Sequence, residues 1–252
     1  LIVWDPNTGN IERRLEGHSA NVRAVAVTPD GALAVSGSDD RTLIVWDLNT
    51  GDIERRLEGH SGSVGSVAVT PDGVRAVSGS DDRTLIVWDL NAGQVECQLE
   101  GHRAPVRCVA VTKDGAQAVS VSDDAVIVWD LNRSYIERKW EGRSGWVNSV
   151  ALMPDGARAV SVSSNRTLIV WDLNTGEIES ELKGHSGRVY CVAVTPDGAR
   201  AVSGAQDSTL IVWDLNAVQI DRRLEGHSTG WVNSVAVTPD GARAVSGAQD
   251  ST

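Results

Sequence analysis

Histidine, serine, aspartate and tryptophan recur in this chain at fixed offsets: His18, Ser36, Asp40 and Trp46, then His60, Ser78, Asp82 and Trp88, then His185, Ser203, Asp207 and Trp213. A fourth set, His227, Ser246 and Asp250, is completed by Trp4 when the sequence is read as a circle. Serine, histidine and aspartate are the types that build a hydrolytic relay, in which imidazole takes a hydroxyl proton and a carboxylate orients the ring. A catalyst needs such a relay once. Repetition at constant offsets points instead to scaffolding, in which a buried indole N–H finds an acceptor and a buried imidazole satisfies both nitrogens. The chain also lacks a Gly-x-x-x-x-Gly-Lys-Ser/Thr phosphate loop and a His-Glu-x-x-His zinc spacing. No catalytic, cofactor-binding or metal-ligating residue is expected, and the chain does not read as an enzyme.

The elements that must hold these residues follow from the period. A Trp-Asp pair stands at Trp4, Trp46, Trp88, Trp129, Trp171 and Trp213, at intervals of 42, 42, 41, 42 and 42 residues. Each period carries the same segments in order. An apolar run such as Val25–Thr28 meets the turn Pro29-Asp30-Gly31, and "ALAVSG" leads into "SDDRT". The run "LIVWD" then meets "NTG", and "IERRLEG" closes the period. Asp-Gly between apolar runs is a hairpin signal, and four short strands in about 40 to 45 residues is the arithmetic of one propeller blade.

With Gly-His at His18, His60, His102, His185 and His227 in phase with the six Trp-Asp pairs, the whole chain resembles the WD40-repeat family. The resemblance implies an all-β fold: a six-bladed β-propeller of four antiparallel strands per blade. It also implies one domain over 1–252, whose closing blade is shared by about 229–252 and 1–16. Read as a circle, the interval from Trp213 to Trp4 is 43, and the six intervals total 252. Ring closure removes sheet edges that would otherwise template aggregation. The resemblance further implies that each His-Ser-Asp-Trp set is a structural tetrad.

Two repeats depart from the pattern. In "VSDDAVIVWD" the turn is one residue short, so either Asp123 or Asp124 takes the aspartate role and Ser120 is open to displacement. In the next repeat Arg143 stands for His and Asn165 for Asp. That blade is expected to be the least rigid, with a partner contact by Arg143 as the alternative.

The repeats are alike enough that their differences mark candidate contact positions. Beside the first strand's Val stand Arg23, Arg107, Trp146, Arg188, Tyr190 and Trp231, and Trp, Tyr and Arg are the types enriched at binding hot spots. By the family resemblance these lie toward the top face and channel rim, where a protein or peptide would bind; plugging of the channel by Trp146 and Trp231 is the alternative. Asp39, Asp81 and Asp123 place acidic groups on the same face, where Ser164, Gln206 and Gln249 stand in other repeats, so a basic or mixed peptide would suit it. The charges of the "ERRLE" segments read as solvation of an exposed outer strand, and Trp140 as packing.

Composition supports this reading. The chain has nine Trp but no Phe, one Met and two Tyr, so Val, Ala, Leu and Ile must fill its core. A net charge of −11 opposes nucleic-acid binding, which needs clustered Lys and Arg. No apolar run is long enough for a membrane span and no leader is evident. Cys97, Cys108 and Cys191 are odd in number without metal spacing, which suggests a reducing compartment and a cytoplasmic location. The function expected is a non-catalytic protein–protein interaction scaffold, the propeller part of a larger signalling or regulatory protein. The alternative is an amplified or designed repeat with a purely structural role, since "VTPDGARAVSGAQDST" stands at both 194–209 and 237–252. A monomer is expected, with a strand-swapped oligomer as the alternative.

Overall fold

In a computed structural model that describes residues 1–141, 146–228 and 230–250, every regular element is a β-strand. β1 (Ile2–Trp4) and β2 (Ile11–Arg14) pair as a two-stranded antiparallel sheet. β3 (Val22–Val27), β4 (Leu33–Ser38), β5 (Leu43–Asp47) and β6 (Ile53–Leu57) form a four-stranded sheet in chain order. β7 (Val64–Val69), β8 (Arg75–Ser80), β9 (Thr84–Asp89) and β10 (Gln94–Glu100) repeat it, as do β11 (Val106–Val111), β12 (Gln117–Ser122), β13 (Ala125–Asp130) and β14 (Tyr135–Glu141). The same order holds for β15 (Val147–Leu152), β16 (Arg158–Ser163), β17 (Thr167–Asp172) and β18 (Ile178–Lys183). It holds again for β19 (Val189–Val194), β20 (Arg200–Ala205), β21 (Thr209–Asp214) and β22 (Gln219–Glu225). β23 (Val232–Val237) and β24 (Ala244–Ala248) make a final two-stranded sheet. The chain divides into two compact units, Leu1–Ala118 with Trp129–Tyr135, and Val119–Val128 with Ile136–Thr252.

The turns are built by short-range chemistry. Thr28 N–H donates to Leu33 O at 2.9 Å, the Thr28 hydroxyl to Asp30 Oδ1 at 2.6 Å, and Gly31 takes φ of 72°, a left-handed conformation that glycine adopts without a Cβ penalty. The same bonds recur at Thr70, Asp72 and Gly73.

Burial follows position in the sheet. In β4 and β5 almost every residue is buried, whereas β6 is exposed except at Leu57. The middle strands are covered on both faces because first strands stack: β3 lies beside β7 and β7 beside β11 in one unit, and β15 beside β19 and β19 beside β23 in the other. The first unit's core includes Val35, Leu43, Val45, Val64, Ile86 and Trp88; the second's includes Val160, Leu168, Val189, Ile211 and Trp213. The approach depends on glycine, since a Cβ on Gly79 would stand 2.5 Å from Val106 Cγ1. Trp140 stacks on Trp171 at 5.7 Å between ring centroids and 14° between planes. Among the described residues no helix is long and apolar enough to cross a membrane.

Candidate interaction site and the hydrogen-bond chains behind it

The recurring His, Ser, Asp and Trp meet in space. His18 precedes β3, Ser36 lies in β4, Asp40 in the turn after it and Trp46 in β5. His18 Nδ1 is 2.8 Å from Asp40 Oδ2, His18 Nε2 is 2.8 Å from Ser36 Oγ, and Trp46 Nε1 donates to Ser36 Oγ at 2.8 Å. A carboxylate only accepts, so Nδ1 carries a proton; where Nε2 carries none it accepts the serine hydroxyl, and the serine oxygen accepts the indole N–H.

His60, Ser78, Asp82 and Trp88 repeat these contacts at 2.9, 2.7 and 2.8 Å. In the later copy His185 Nδ1 stands 3.1 Å from Asp207 Oδ2, His185 Nε2 2.8 Å from Ser203, and Trp213 donates to Ser203 at 2.8 Å. In the last set His227 contacts Asp250 at 2.7 Å and Ser246 at 2.9 Å, while Trp4, in the other unit, is 54% exposed.

The departing repeats keep part of the chain of bonds. His102, Ser120 and Trp129 are buried, and the His102 and Trp129 ring centroids lie 6.2 Å apart. Ser122 donates to Asp124. In the following repeat Trp171 still donates to Ser161 at 2.8 Å, and Asn165 Oδ1 accepts from the hydroxyls of Ser163 and Thr167. Arg143 lies outside the described residues.

Burial and hydrogen bonding act against each other in these sets. Burial opposes the charge of Asp82, yet bonds from the Thr84 hydroxyl and N–H and the proximity of His60 outweigh it and hold the carboxyl down to about 2. Asp40 and Asp207 also sit well below the usual carboxylate range, against burial, through Thr42, Ser19 N–H and His18 in one case and Thr209, Ser186 N–H and His185 in the other. Burial pushes His60 and His185 down, against the pull of Asp82 and Asp207. At His60 and His185 burial thus favours a neutral imidazole facing the carboxylate, a charge-assisted hydrogen bond rather than an ion pair.

Three of these chains of bonds have a fifth member that composition alone does not single out. Thr42, Thr84 and Thr209 donate to the tetrad aspartate at 2.7 Å in each case. The signal was the threonine two residues after each aspartate. The outer-strand arginines, expected to solvate, also bond to backbone. Arg56 and Arg223 each reach the carbonyl before a tetrad histidine, Gly17 O and Gly184 O, at 2.7 Å. Arg55 reaches Leu90 O at 3.1 Å.

The geometry resembles a hydrolytic relay but is closed. Ser36, Ser78 and Ser203 are fully buried, and their oxygens already accept an indole N–H, so no acyl group can approach. Ser246 is only partly buried. Among the described residues no His, Cys, Asp and Glu group could hold a metal ion, and the three cysteines are free thiols.

The exposed candidates group by unit. In the second unit, Arg188 Cζ lies 5.7 Å from the centroid of the Trp146 ring, and the Tyr190 and Trp231 rings lie 5.6 Å apart at 31°. Trp146 is 56% exposed and Trp231 43%. Arg188 and Tyr190 flank Val189, which is buried at the start of β19 and fixes both. Asn148 Nδ2 donates to Val189 O at 2.7 Å, tying the neighbouring sheet to the same point. In the first unit Arg23 Nε donates to Asp39 Oδ1 at 2.8 Å. A cavity of about 320 Å³ there is lined by Arg23, Asp39, Ser63, Gly65, Asp81, Val106 and Arg107.

A family profile described as "WD domain, G-beta repeat" matches residues 9–47, 51–89, 93–130, 135–172, 176–214 and 219–252. A 42-residue stretch is 50% identical to "Nuclear distribution protein PAC1" of Arthroderma otae, of Arthroderma benhamiae and of Trichophyton verrucosum. That stretch is 17% of this chain and 9% of each relative.

Proposed function

This chain belongs to the WD40-repeat family, and on that premise we propose that it is a non-catalytic platform that binds a protein or peptide, within a larger signalling or regulatory protein. The reading rests on one observation: exposed Trp146, Arg188 and Trp231 and half-buried Tyr190 are paired on a frame in which, among the described residues, no buried side-chain polar atom lacks a hydrogen-bond partner. Large aromatic and guanidinium groups held rigidly at a surface are what hot spots require. The six repeats act in this proposal as one propeller domain with its terminal blade shared by 229–252 and 1–16, monomeric and in a reducing, cytoplasmic compartment. The relatives' match has the length of one repeat, so their part in nuclear distribution is not carried over.

Affinity capture followed by mass spectrometry tests the reading. One partner set should be retained by the native chain and lost on Trp231→Ala with Tyr190→Ala, while the circular dichroism spectrum stays unchanged. Capture of nothing, or of the same proteins by both chains, favours the second reading, a purely structural amplified repeat. That reading draws on the sixteen residues common to 194–209 and 237–252. Catalysis is tested separately with a fluorophosphonate serine probe. No labelling is expected, and labelling abolished by Ser246→Ala would establish a hydrolase.

A further inference from the structure

We propose that the second unit's aromatic–arginine shelf recognises a short acidic protein segment, with a carboxylate on Arg188 and an adjoining flat side chain, proline or aromatic, against Trp231 and Tyr190. This rests on the platform reading above and names the chemistry of its partner.

The internal repeats supply the comparison. In the first unit the turn position before the tetrad aspartate is Asp39, whose N–H donates to Asn21 O at 2.9 Å. Its carboxylate takes Arg23 Nε at 2.8 Å and Asn21 Nδ2 at 3.3 Å. The arginine there is satisfied within the chain.

In the second unit the same backbone bond joins Gln206 N–H to Arg188 O at 2.8 Å, so residue 206 sits against Arg188 as Asp39 sits against Asn21. Here, however, the residue against Arg188 is the uncharged Gln206, and the equivalent residues of the repeats before and after it are Ser164 and Gln249. Arg188 forms no ion pair among the described residues; its guanidinium packs on Trp146 instead. An exposed guanidinium beside an indole face, with no carboxylate of its own, can present its N–H edge to a carboxylate in a bidentate pair.

Arg188 holds the place of Asn21, whose amide meets the Asp39 carboxylate, and Gln206 offers no such carboxylate, so one for Arg188 would be supplied by a partner. The partner should be short, because the chain's net charge of −11 repels a long polyanion. A basic segment is disfavoured at this spot by Arg188 itself, and the Trp146 face that could receive a cation already holds one.

The experiment measures anisotropy of fluorescein-labelled Gly-Pro-Trp-Glu-Glu-Gly against the same peptide with both glutamates replaced by lysine or by glutamine. The acidic peptide should bind at least about tenfold tighter than the glutamine peptide. Arg188→Gln, which keeps a flat side chain on Trp146, should lose about that factor. Gln206→Asp, which returns a carboxylate to the turn, should weaken binding in the same direction, and Arg23→Ala should not. Melting temperatures of all variants confirm the fold. Equal or tighter binding of the lysine peptide, or full binding by Arg188→Gln, overturns the acidic assignment. If the lysine peptide binds and is lost on Trp231→Ala, the platform reading stands and only the partner chemistry falls. If no peptide binds, this assignment falls, and affinity capture decides the platform independently.

Discussion

The segment Ala-Arg-Ala-Val-Ser-Gly-Ala-Gln-Asp occurs at 199–207 and again at 242–250, with opposite fates. In the first copy Val202 is 4% exposed and Ala201 fully buried; in the second, Val245 is 68% exposed. Both copies form the same strand, in the same antiparallel register with the strand before: Val192 opposes Ser203 as Val235 opposes Ser246. What differs is the far side. β20 continues into β21 and β22, whereas among the described residues β24 is paired with β23. The "LIVW" segment behaves alike: Trp213 in β21 is 1% exposed and Trp4 in β1 is 54%. Local sequence sets strand and turn, and neighbouring strands set burial.

That contrast is most sharply tested at its tryptophans. Trp88, 1% exposed and bonded to Ser78, should cost about 3–5 kcal/mol on replacement by Ala, through lost contacts and a cavity. Trp4→Ala tests the shared terminal blade: it should cost about 0.5 kcal/mol or less in thermal or urea unfolding if β1 pairs with β2 alone, and about as much as Trp88→Ala if 229–252 and 1–16 share the blade as proposed. A cost for Trp4 equal to that for Trp88 would show that further strands cover it in solution.

The valines give a smaller effect with identical flanking sequence. Val202→Ala should lose about 2 kcal/mol, and Val245→Ala no more than about 0.5 kcal/mol. Equal values would dissolve the comparison, since they would place both strands in the same surroundings.

Smallest near neutrality is the effect of pH on the tetrads. Burial holds His60 and His185 below 6.5 in the folded chain. Between 6.5 and those lower values the unfolded chain binds more protons, so stability is full above about pH 6.5 and declines as pH falls. A second decline follows as pH drops through 3.8 toward the folded value of about 2 for Asp82. Denaturation curves from pH 8 to pH 3 should show both steps, and His60→Gln with His185→Gln should remove most of the first. A single acid step in the native chain would contradict neutral buried imidazoles.

The repeat period, the strands and the four bond-forming types were legible because they depend on short-range pattern: alternation, Asp-Gly turns and fixed offsets. Thr42, Thr84 and Thr209 were overlooked although equally periodic, because a turn threonine is ordinarily explained by local turn chemistry. Arg55 and Arg56 were misjudged for a different reason. Their charges suit an exposed strand, and the carbonyls they reach, Leu90 O and Gly17 O, lie 35 and 39 residues away. Trp146, Arg188, Tyr190 and Trp231 stood out as departures from the repeat, but which ring pairs with which required coordinates.

By itself, then, the order of residues determined the six-part period, the hairpins and the identity of the tetrads, since each is settled by groups within one repeat. Only the tertiary structure decided that Val202 is buried while Val245 is exposed, and which of the rings Trp146, Tyr190 and Trp231 lies beside Arg188. The physical reason is that exposure and pairing belong to relations between segments. Two identical segments can therefore differ wherever the strands around them do.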